Sequence, residues 1–297
     1  TICLTFVLTS CVFAYSGGSG TENDPYQIST PADWQQLMNT SDDWDKNFIL
    51  TADIDLAGIS LTPVGQGREA FRGVFDGNGH IISNATMNLP EQSDVGLFGS
   101  LGQLGRIQNL GVEDVNITGE GDVGGLCGEL HEAAIEDCYT TGKVTSNGTS
   151  GGLCAEADNG VINSSWSSAE VKGVGRGVGG LCGDSSVGGS GTIISNSFAT
   201  GSVTGRDQVG GLCGRGDNIS YSYATGSVTG ESSVGGLCGS GGNISYSFAT
   251  SNVQGESNVG GFCGRISRNT IRHCYAAGDV NGVNDVGGFV GDSGTGD

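Results

Sequence analysis

Apolar residues recur along the second half of the chain in short groups separated by glycine-rich turns. Each unit has the phrase Val-Gly-Gly-Leu-Cys-Gly or a close variant, then an isoleucine, an aromatic residue four positions later, and a valine. No stretch of this array has helical spacing of apolar residues over ten positions. The pattern therefore predicts three short strands per unit, joined by tight turns. The first glycines of the phrases, at spacings of 27, 28, 31, 25, 25 and 27 residues, are Gly124, Gly151, Gly179, Gly210, Gly235, Gly260 and Gly287.

One coil of a parallel β-helix accounts for this unit. Three strands of about five residues with their turns need roughly 25 residues, whereas a propeller blade needs about 40 or more. A coil cannot bury its own apolar side, so successive coils must stack. We therefore predict an all-β fold, a parallel right-handed β-helix or solenoid. The distance from the cysteine of the phrase to the next isoleucine varies from 6 to 12 residues, which places the insertions at one corner.

A short helix is predicted before the array, in the stretch Thr-Pro-Ala-Asp-Trp-Gln-Gln-Leu-Met. Thr30 suits the N-cap, Pro31 the first turn, and Asp33 the third position of a capping box. One apolar face is formed by Trp34, Leu37 and Met38. We expect this helix to cap the open end of the stack, where strand edges would otherwise be unpaired.

Six cysteines occupy one position of the repeated phrase, which raises the question of disulfides, metal ligands or packing. Stacked coils lie about 4.8 Å apart, whereas disulfides prefer Cβ atoms about 3.8 Å apart. Zinc needs four converging ligands, and the chain has only 3 histidines. Because the same position takes Phe and Val in the flanking units, core packing is favoured, with some disulfides as the alternative. The predicted core column is Phe98, Cys127, Cys154, Cys182, Cys213, Cys238, Cys263 and Val290.

The aromatic residues form a second column, for which the sequence leaves two interpretations open. They lie either in the core or on the surface as an exposed stripe. The position of Tyr221 is polar in most other units, which puts it outside and indicates a bend in the strand there. An exposed stripe would suit stacking of sugar rings. The predicted ligand-binding stripe is Tyr139, Trp166, Phe198, Tyr223, Phe248 and Tyr275.

Composition and charge narrow the partners and the compartment. The 297 residues include 57 glycines, and the 12 basic and 32 acidic residues give a net charge of −20. Nucleic acid is an unfavourable partner because phosphate binding needs clusters of Lys and Arg. The apolar N-terminus is typical of a partial secretory signal peptide. An alternative is a lipobox at Leu8 to Cys11, in which case lipidated Cys11 would contact the membrane.

The periodic phrases resemble the GLUG motif of bacterial secreted and surface proteins. The resemblance rests on Val-Gly-Gly-Leu-Cys-Gly followed by Ile-Ser-Tyr-Ser-Tyr-Ala-Thr-Gly-Ser-Val-Thr-Gly, and it covers residues 17 to 297. The family commonly has valine at the cysteine position, so this chain departs from it there. The resemblance implies a β-helical, extracellular, adhesin-like module. Some relatives are immunoglobulin-cleaving metalloendopeptidases with a separate catalytic domain.

Candidate chemistry is sparse in the sequence. The nearest approach to the zinc-peptidase motif His-Glu-x-x-His is His-Glu-Ala-Ala-Ile, from His131 to Ile135, and it lacks the second histidine. Acidic residues recur near the corner before the Val-Gly phrase, and we predict a ladder along one edge. Weak binding of Ca²⁺ is conceivable there, and no other cofactor is expected. The ladder consists of Asp94, Asp122, Asp207, Glu231, Glu256 and Asp285.

These observations predict four regions and a non-catalytic function. Residues 1–14 are the partial signal peptide, 15–29 a linker and first strand, 30–121 the cap helix and atypical first coils, and 122–297 the repeat array, expected to be truncated at its C-terminus. The predicted function is adhesion, binding or spacing by a secreted or cell-surface module that binds a glycan or a surface protein. The alternatives are a polysaccharide-active β-helix enzyme, or the spacer region of a larger protease or adhesin.

Overall fold

The computed structural model describes residues 15–67, 69–186, 191–266 and 270–294. Within these ranges the chain forms a parallel β-solenoid with one α-helix at its N-terminal side, which confirms the predicted fold class. Strands of successive coils pair in parallel at equivalent positions, as Ile135 does with Ile162. The predicted signal peptide and Cys11 lie outside the described residues.

The strands of the described residues form three sheets, each named here by a residue type that recurs in it. The cysteine sheet contains Tyr26–Ile28, Asn47–Leu50, Val74–Asp76, Phe98–Leu101, Arg106–Gln108, Cys127–His131, Ala134–Glu136, Cys154–Asp158, Val161–Asn163, Cys182–Asp184, Ile193–Ser195, Cys213–Ser220, Cys238–Ser245, Cys263–Ile266, Ile271–Arg272 and Val290–Asp292. The glycine sheet contains Val123–Gly124, Ser150–Gly151, Arg176–Gly179, Asp207–Gly210, Ser232–Gly235, Ser257–Gly260 and Asn284–Gly287. The aromatic sheet contains Ile54–Asp55, Ile81–Ser83, Thr86–Leu89, Gly111–Gly119, Tyr139–Ser146, Trp166–Ser167, Glu170–Gly173, Phe198–Ala199, Val203–Thr204, Tyr223–Ala224, Val228–Thr229, Phe248–Ala249, Val253–Gln254, Tyr275–Ala276 and Val280–Asn281.

The core is a stack of similar layers along the solenoid axis. Each coil contributes an isoleucine from the cysteine sheet and a valine from the aromatic sheet, and those of the middle coils are at most 2% exposed. Stacking gives each coil the partners for its apolar side chains that it lacks alone. The buried isoleucines are Ile107, Ile135, Ile162, Ile194, Ile219 and Ile244, and the buried valines are Val144, Val171, Val203, Val228 and Val253.

Two consecutive glycines of each phrase are required by close backbone contacts. A Cβ atom on Gly235 would lie 1.9 Å from the carbonyl oxygen of Cys238, within the same turn. A Cβ atom on Gly236 would lie 2.1 Å from the carbonyl oxygen of Gly261 in the next coil. Both carbonyl oxygens belong to the backbone, which cannot move aside to make room for a side chain. The turn and the spacing between coils therefore explain the Gly-Gly pair.

The corner predicted between the cysteine and the isoleucine is absent from the shortest coils. In these coils Cys213–Ser220 and Cys238–Ser245 run as single strands of 8 residues. In longer coils the same face is divided into two strands, such as Cys127–His131 and Ala134–Glu136. The insertions therefore lie within one face of the solenoid and not at one of its corners.

The predicted cap helix is present as Pro31–Asn39. The side chain of Thr30 accepts a hydrogen bond from the Asp33 amide at 3.2 Å, and Asp33 accepts one from the Thr30 amide at 2.9 Å, which completes a capping box. Trp34 is buried and packs edge-on against Phe75 and Phe98 of the first coils. The helix thus covers the apolar end of the stack. Among the described residues, no helix has the length and apolar character needed to cross a bilayer.

Candidate functional site

The six phrase cysteines lie in one continuous column inside the cysteine sheet. Neighbours in the column are paired in register, from Cys127 with Cys154 to Cys238 with Cys263, and all six are fully buried. Phe98 pairs with Cys127 at one end and Val290 with Cys263 at the other. All 8 cysteines of the described residues are free thiols. The structure therefore places these side chains where apolar packing is their main interaction.

Burial makes these thiols poor nucleophiles. It raises the pKa of Cys263 to about 12, even though backbone groups of Arg265 and Gly241 act to lower it. For Cys213 and Cys238 burial is likewise the largest cause of a pKa well above 9. Because the thiolate is the reactive form, nucleophilic chemistry at this column is disfavoured.

A ladder of buried serines runs beside the aromatic column, and the sequence analysis did not assign it. The Oγ atom of Ser222 accepts a hydrogen bond from the Ser197 amide at 3.2 Å and donates one to the carbonyl of Ser220 at 2.8 Å. Ser165, Ser197 and Ser247 repeat this arrangement, and Cys138 and Cys274 occupy the two ends of the ladder. The available signal was a serine, or at the two ends a cysteine, three residues after each repeat isoleucine.

The residue before each serine explains why the chain bends at this place. Tyr221 has a φ of +51°, and Asp137, Ser164, Asn196, Tyr246 and His273 have φ values from +50° to +55°. Non-glycine residues seldom adopt this left-handed conformation. The bend expected at position 221 is therefore present, and the serine hydroxyl satisfies backbone groups that the bend removes from regular pairing.

The predicted aromatic stripe lies on the outside of the solenoid, beyond this bend. Its six rings stack on one another with centroids 4.4 to 5.6 Å apart and planes within 4° of parallel. Five of the rings are partly buried, and Tyr275 is exposed. Each inner ring has another ring on both faces, so it presents its edge to solvent. This aromatic ladder consists of Tyr139, Trp166, Phe198, Tyr223, Phe248 and Tyr275.

A second and shorter stack lies on the other side of the bend. Tyr221 and Tyr246 stack at 5.0 Å, and Tyr246 stacks on His273 at 4.8 Å. The two tyrosines are 59% and 52% exposed. The later coils therefore carry two rows of aromatic rings around one corner. The sequence shows the pair as Tyr-Ser-Tyr or Tyr-Ser-Phe, in which the serine faces inward.

The acidic residues do not form the single ladder that the sequence predicts. Asp94 and Asp122 lie beside a second column, which pairs Glu129 with Glu156 and Glu156 with Asp184. Burial, followed by the charges of Asp122, Asp184 and Glu129, raises the pKa of Glu156 to about 7. Burial, followed by Glu129 and Asp122, raises the pKa of Asp94 to about 6. The signal for this carboxylate column was an acidic residue two positions after each of the first three phrase cysteines.

Later acidic residues are paired with arginines instead. Arg176 donates to Asp207 at 2.8 Å, and Arg206 lies 3.7 Å from Glu231. Arg215 continues the carboxylate column and contacts Asp184 at 2.7 Å. The repeated corner therefore carries carboxylates in the early coils and ion pairs in the later ones.

Metal-binding clusters of side chains are absent from the described part of the chain. No group of three or more His, Cys, Asp or Glu side chains there could hold a metal ion. His131, from the incomplete zinc-peptidase motif, contacts Asp158 at 2.8 Å on the surface, and Ile135 is a core residue. Weak calcium binding by the acidic corner stays a prediction.

The family model of the GLUG motif matches residues 119–145 and 255–281. The chain carries GLUG motifs. Each matched range holds one Val-Gly-Gly phrase followed by the repeat isoleucine, one ring of the aromatic ladder and the repeat valine. This confirms the resemblance seen in the sequence, and the structure shows that a GLUG motif corresponds to one coil.

Two curated relatives align with less than half of the chain. Halomucin from Haloquadratum walsbyi is 35% identical over 140 residues, which is 43% of this chain and 2% of halomucin. An inferred Gly-rich membrane protein from Evansella cellulosilytica is 37% identical over 146 residues, which is 43% of this chain and 17% of that protein. The aligned GLUG region is thus a small part of each relative.

Two solved structures share the fold. The crystal structure of an inferred immunoglobulin A1 protease from Bacteroides ovatus superposes with a TM-score of 0.65 at 23% identity, covering 92% of this chain and 87% of that one. A chain described as IgA1 protease gives a TM-score of 0.57 at 19% identity, covering 76% of this chain and 20% of that one. At these identities the likeness concerns the solenoid fold alone.

Proposed function

We propose that this chain is a non-catalytic, extracellular repeat module that serves adhesion, binding or spacing at a bacterial cell surface. The observation that carries the proposal is the coil-to-coil register of the outer side chains. Aromatic rings and ion pairs repeat along the solenoid as rows and give an elongated surface with repeated features. Repeat proteins commonly use such extended surfaces for binding.

The comparisons support the cell-surface setting. One relative is named as a membrane protein and another as halomucin, and the GLUG region is a minor part of both. The two solved relatives are described as IgA1 proteases, and the shorter superposition covers 20% of its chain. A spacer or binding region within a longer protein is consistent with the three matches in which this chain covers 2%, 17% and 20% of the other protein.

The proposal is tested with the purified chain and with cells that express its complete reading frame. We expect a C-terminal tag to react with antibody on intact cells and to be removed by protease added outside. The labelled chain should be retained on an array of bacterial and host glycans or on intact cells, without release of reducing ends from those glycans. A tag that is accessible only after lysis would contradict the surface location, and saturable release of reducing ends would contradict the non-catalytic role.

One observation favours the alternative, a polysaccharide-active enzyme. Glu156 has a pKa of about 7 and lies in register with Asp184, which contacts Arg215. A carboxyl group with a raised pKa beside other carboxylates is the chemistry of a general acid in glycoside cleavage. If this alternative holds, Glu156→Gln abolishes cleavage of a polysaccharide that the wild-type chain degrades. Equal turnover by both proteins would exclude Glu156 as the acid.

A further inference from the structure

The aromatic ladder begins at Tyr139, and the ring of Tyr139 differs from the inner rings in what covers it. Trp166 stacks on one face at 4.4 Å, with the planes within 1° of parallel. The equivalent residue in the preceding coil is Gly111, which pairs with Tyr139 in register and has no side chain. The face of Tyr139 opposite Trp166 therefore has no ring stacked on it.

An open pocket of about 400 Å³ lies at this beginning of the ladder. Its lining residues come from the coils preceding Tyr139 and from the bend beside it. Because Trp166 belongs to the following coil, the pocket lies on the uncovered side of the Tyr139 ring. The lining residues are Asn78, Gly79, Asn109, Leu110, Gly111, Asp137 and Tyr139.

Gly111 is needed for this geometry. A Cβ atom there would lie 2.6 Å from the Cζ and hydroxyl oxygen atoms of Tyr139. The Tyr139 hydroxyl donates a hydrogen bond to Glu113 at 2.8 Å, which holds the ring in place over the glycine. The aromatic wall of the pocket is therefore fixed before any ligand arrives.

The polar rim of the pocket offers both donors and acceptors. The side-chain amide of Asn109 donates to Asp76 at 3.0 Å, and that of Asn78 donates to the Leu50 carbonyl at 3.3 Å. Each bond uses one of the two N–H donors of the amide, which also has an acceptor oxygen, and the exposed carboxylate of Asp137 is a further acceptor. A ligand with hydroxyl groups, which both donate and accept, and with a flat apolar face suits this rim.

We propose that this pocket binds a neutral pyranose unit of a glycan. The apolar C–H face of the sugar would stack on the part of the Tyr139 ring that Trp166 and Gly111 leave uncovered, and its hydroxyls would form hydrogen bonds with Asp137, Asn109 and Asn78. An acidic sugar is disfavoured because Asp137 lies at the pocket and the chain has a net charge of −20. This site rests on the proposed binding function, and it places the sugar contact at the first ring and not along the ladder.

Saturation-transfer difference NMR tests the site, with the methyl β-pyranosides of glucose and galactose as neutral probes and methyl β-glucuronide as the acidic one. We expect saturation of the C–H face of at least one neutral sugar, with a Kd on the order of 1 mM. Tyr139→Ala should weaken binding at least tenfold. The matched control Tyr223→Ala, which removes an inner ring covered on both faces, should bind within twofold of wild type.

Several results would overturn the site: saturation of neither neutral sugar, stronger saturation of the glucuronide, or equal binding by Tyr139→Ala. If circular dichroism shows that Tyr139→Ala is unfolded, Asp137→Gly decides instead, because Asp137 is exposed with a φ of +51° that glycine tolerates. At least threefold weaker binding supports the site, and unchanged binding refutes it. If the chain adheres to cells or arrayed glycans while Tyr139→Ala adheres equally, the site is wrong and the proposed function stands.

Discussion

Glu156 makes the stability of the solenoid depend on pH. Its pKa is about 7 in the folded protein, against an ordinary value of 4.5, because burial and the neighbouring carboxylates disfavour its charge. Between these two values the folded state binds more protons than the unfolded state. Stability must therefore fall as the pH rises from about 4.5 to about 7 and then level off. Replacing Glu156 with Gln removes the charge and should remove this loss.

The size of the effect follows from the shift in pKa. A rise from 4.5 to about 7 corresponds to about 3 kcal/mol. Glu156 is partly exposed, so solvent screening reduces the figure to about 1–2 kcal/mol. Glu156→Gln should therefore stabilise the protein by about 1–2 kcal/mol at pH 8 and by close to nothing at pH 4.5.

Urea unfolding followed by circular dichroism at pH 4.5, 6, 7 and 8 measures this directly. The matched control is Glu231→Gln, which removes an exposed carboxylate that lies 3.7 Å from Arg206 in a later coil. Both variants reduce the net negative charge equally, so a general charge effect would appear in both. The reasoning is refuted if Glu156→Gln gives the same gain at pH 4.5 as at pH 8, or if it gives no more than Glu231→Gln.

Three further predictions concern packing and hydrogen bonds, each measured by urea unfolding. Cys238→Ser should destabilise the protein by about 1–3 kcal/mol because it places a hydroxyl group at a fully buried position, whereas Cys238→Val should cost less than about 1.5 kcal/mol, since valine occupies the same column at Val290; the reverse order would contradict the packing role. Ser222→Ala should lower the free energy of unfolding by about 1–3 kcal/mol because the Ser197 amide loses its buried acceptor. An unchanged free energy would show that the serine ladder does not stabilise the protein. Thr30→Ala should lower the free energy of unfolding by about 1 kcal/mol because the capping box is lost. Thr30→Ser keeps a side-chain hydroxyl at the N-cap and should retain the wild-type stability.

The repeat pattern was sufficient to predict the coils because the residues that carry it face the core. An isoleucine and a valine at fixed positions can only be buried together if the coils stack in register, and the structure has them so. The cap helix was predictable for a different reason. Thr30 and Asp33 form a local capping box that depends on neighbours in sequence alone.

The outer surface was less predictable because its geometry depends on the bend before each serine. The sequence left Tyr223 either in the core or on the surface, and the left-handed conformation of Tyr221 decides it. The carboxylate column was missed because it is acidic in only three successive coils and continues with Arg215, so the repeat pattern does not mark it. The pocket beside Tyr139 also needed coordinates, since its lining comes from separate coils.

The aromatic ladder begins at Tyr139, beside Gly111, which has no side chain, and the solenoid has one such beginning however many coils follow it. Every further coil of about 25 residues lengthens the solenoid by about 4.8 Å and adds one ring to the aromatic ladder. It does not add a second place where the ladder begins. Duplication or loss of coils during evolution would therefore change how far the protein reaches, while the proposed sugar pocket would stay a single site per chain. The length of such a protein would then vary without a change in the number of these sites.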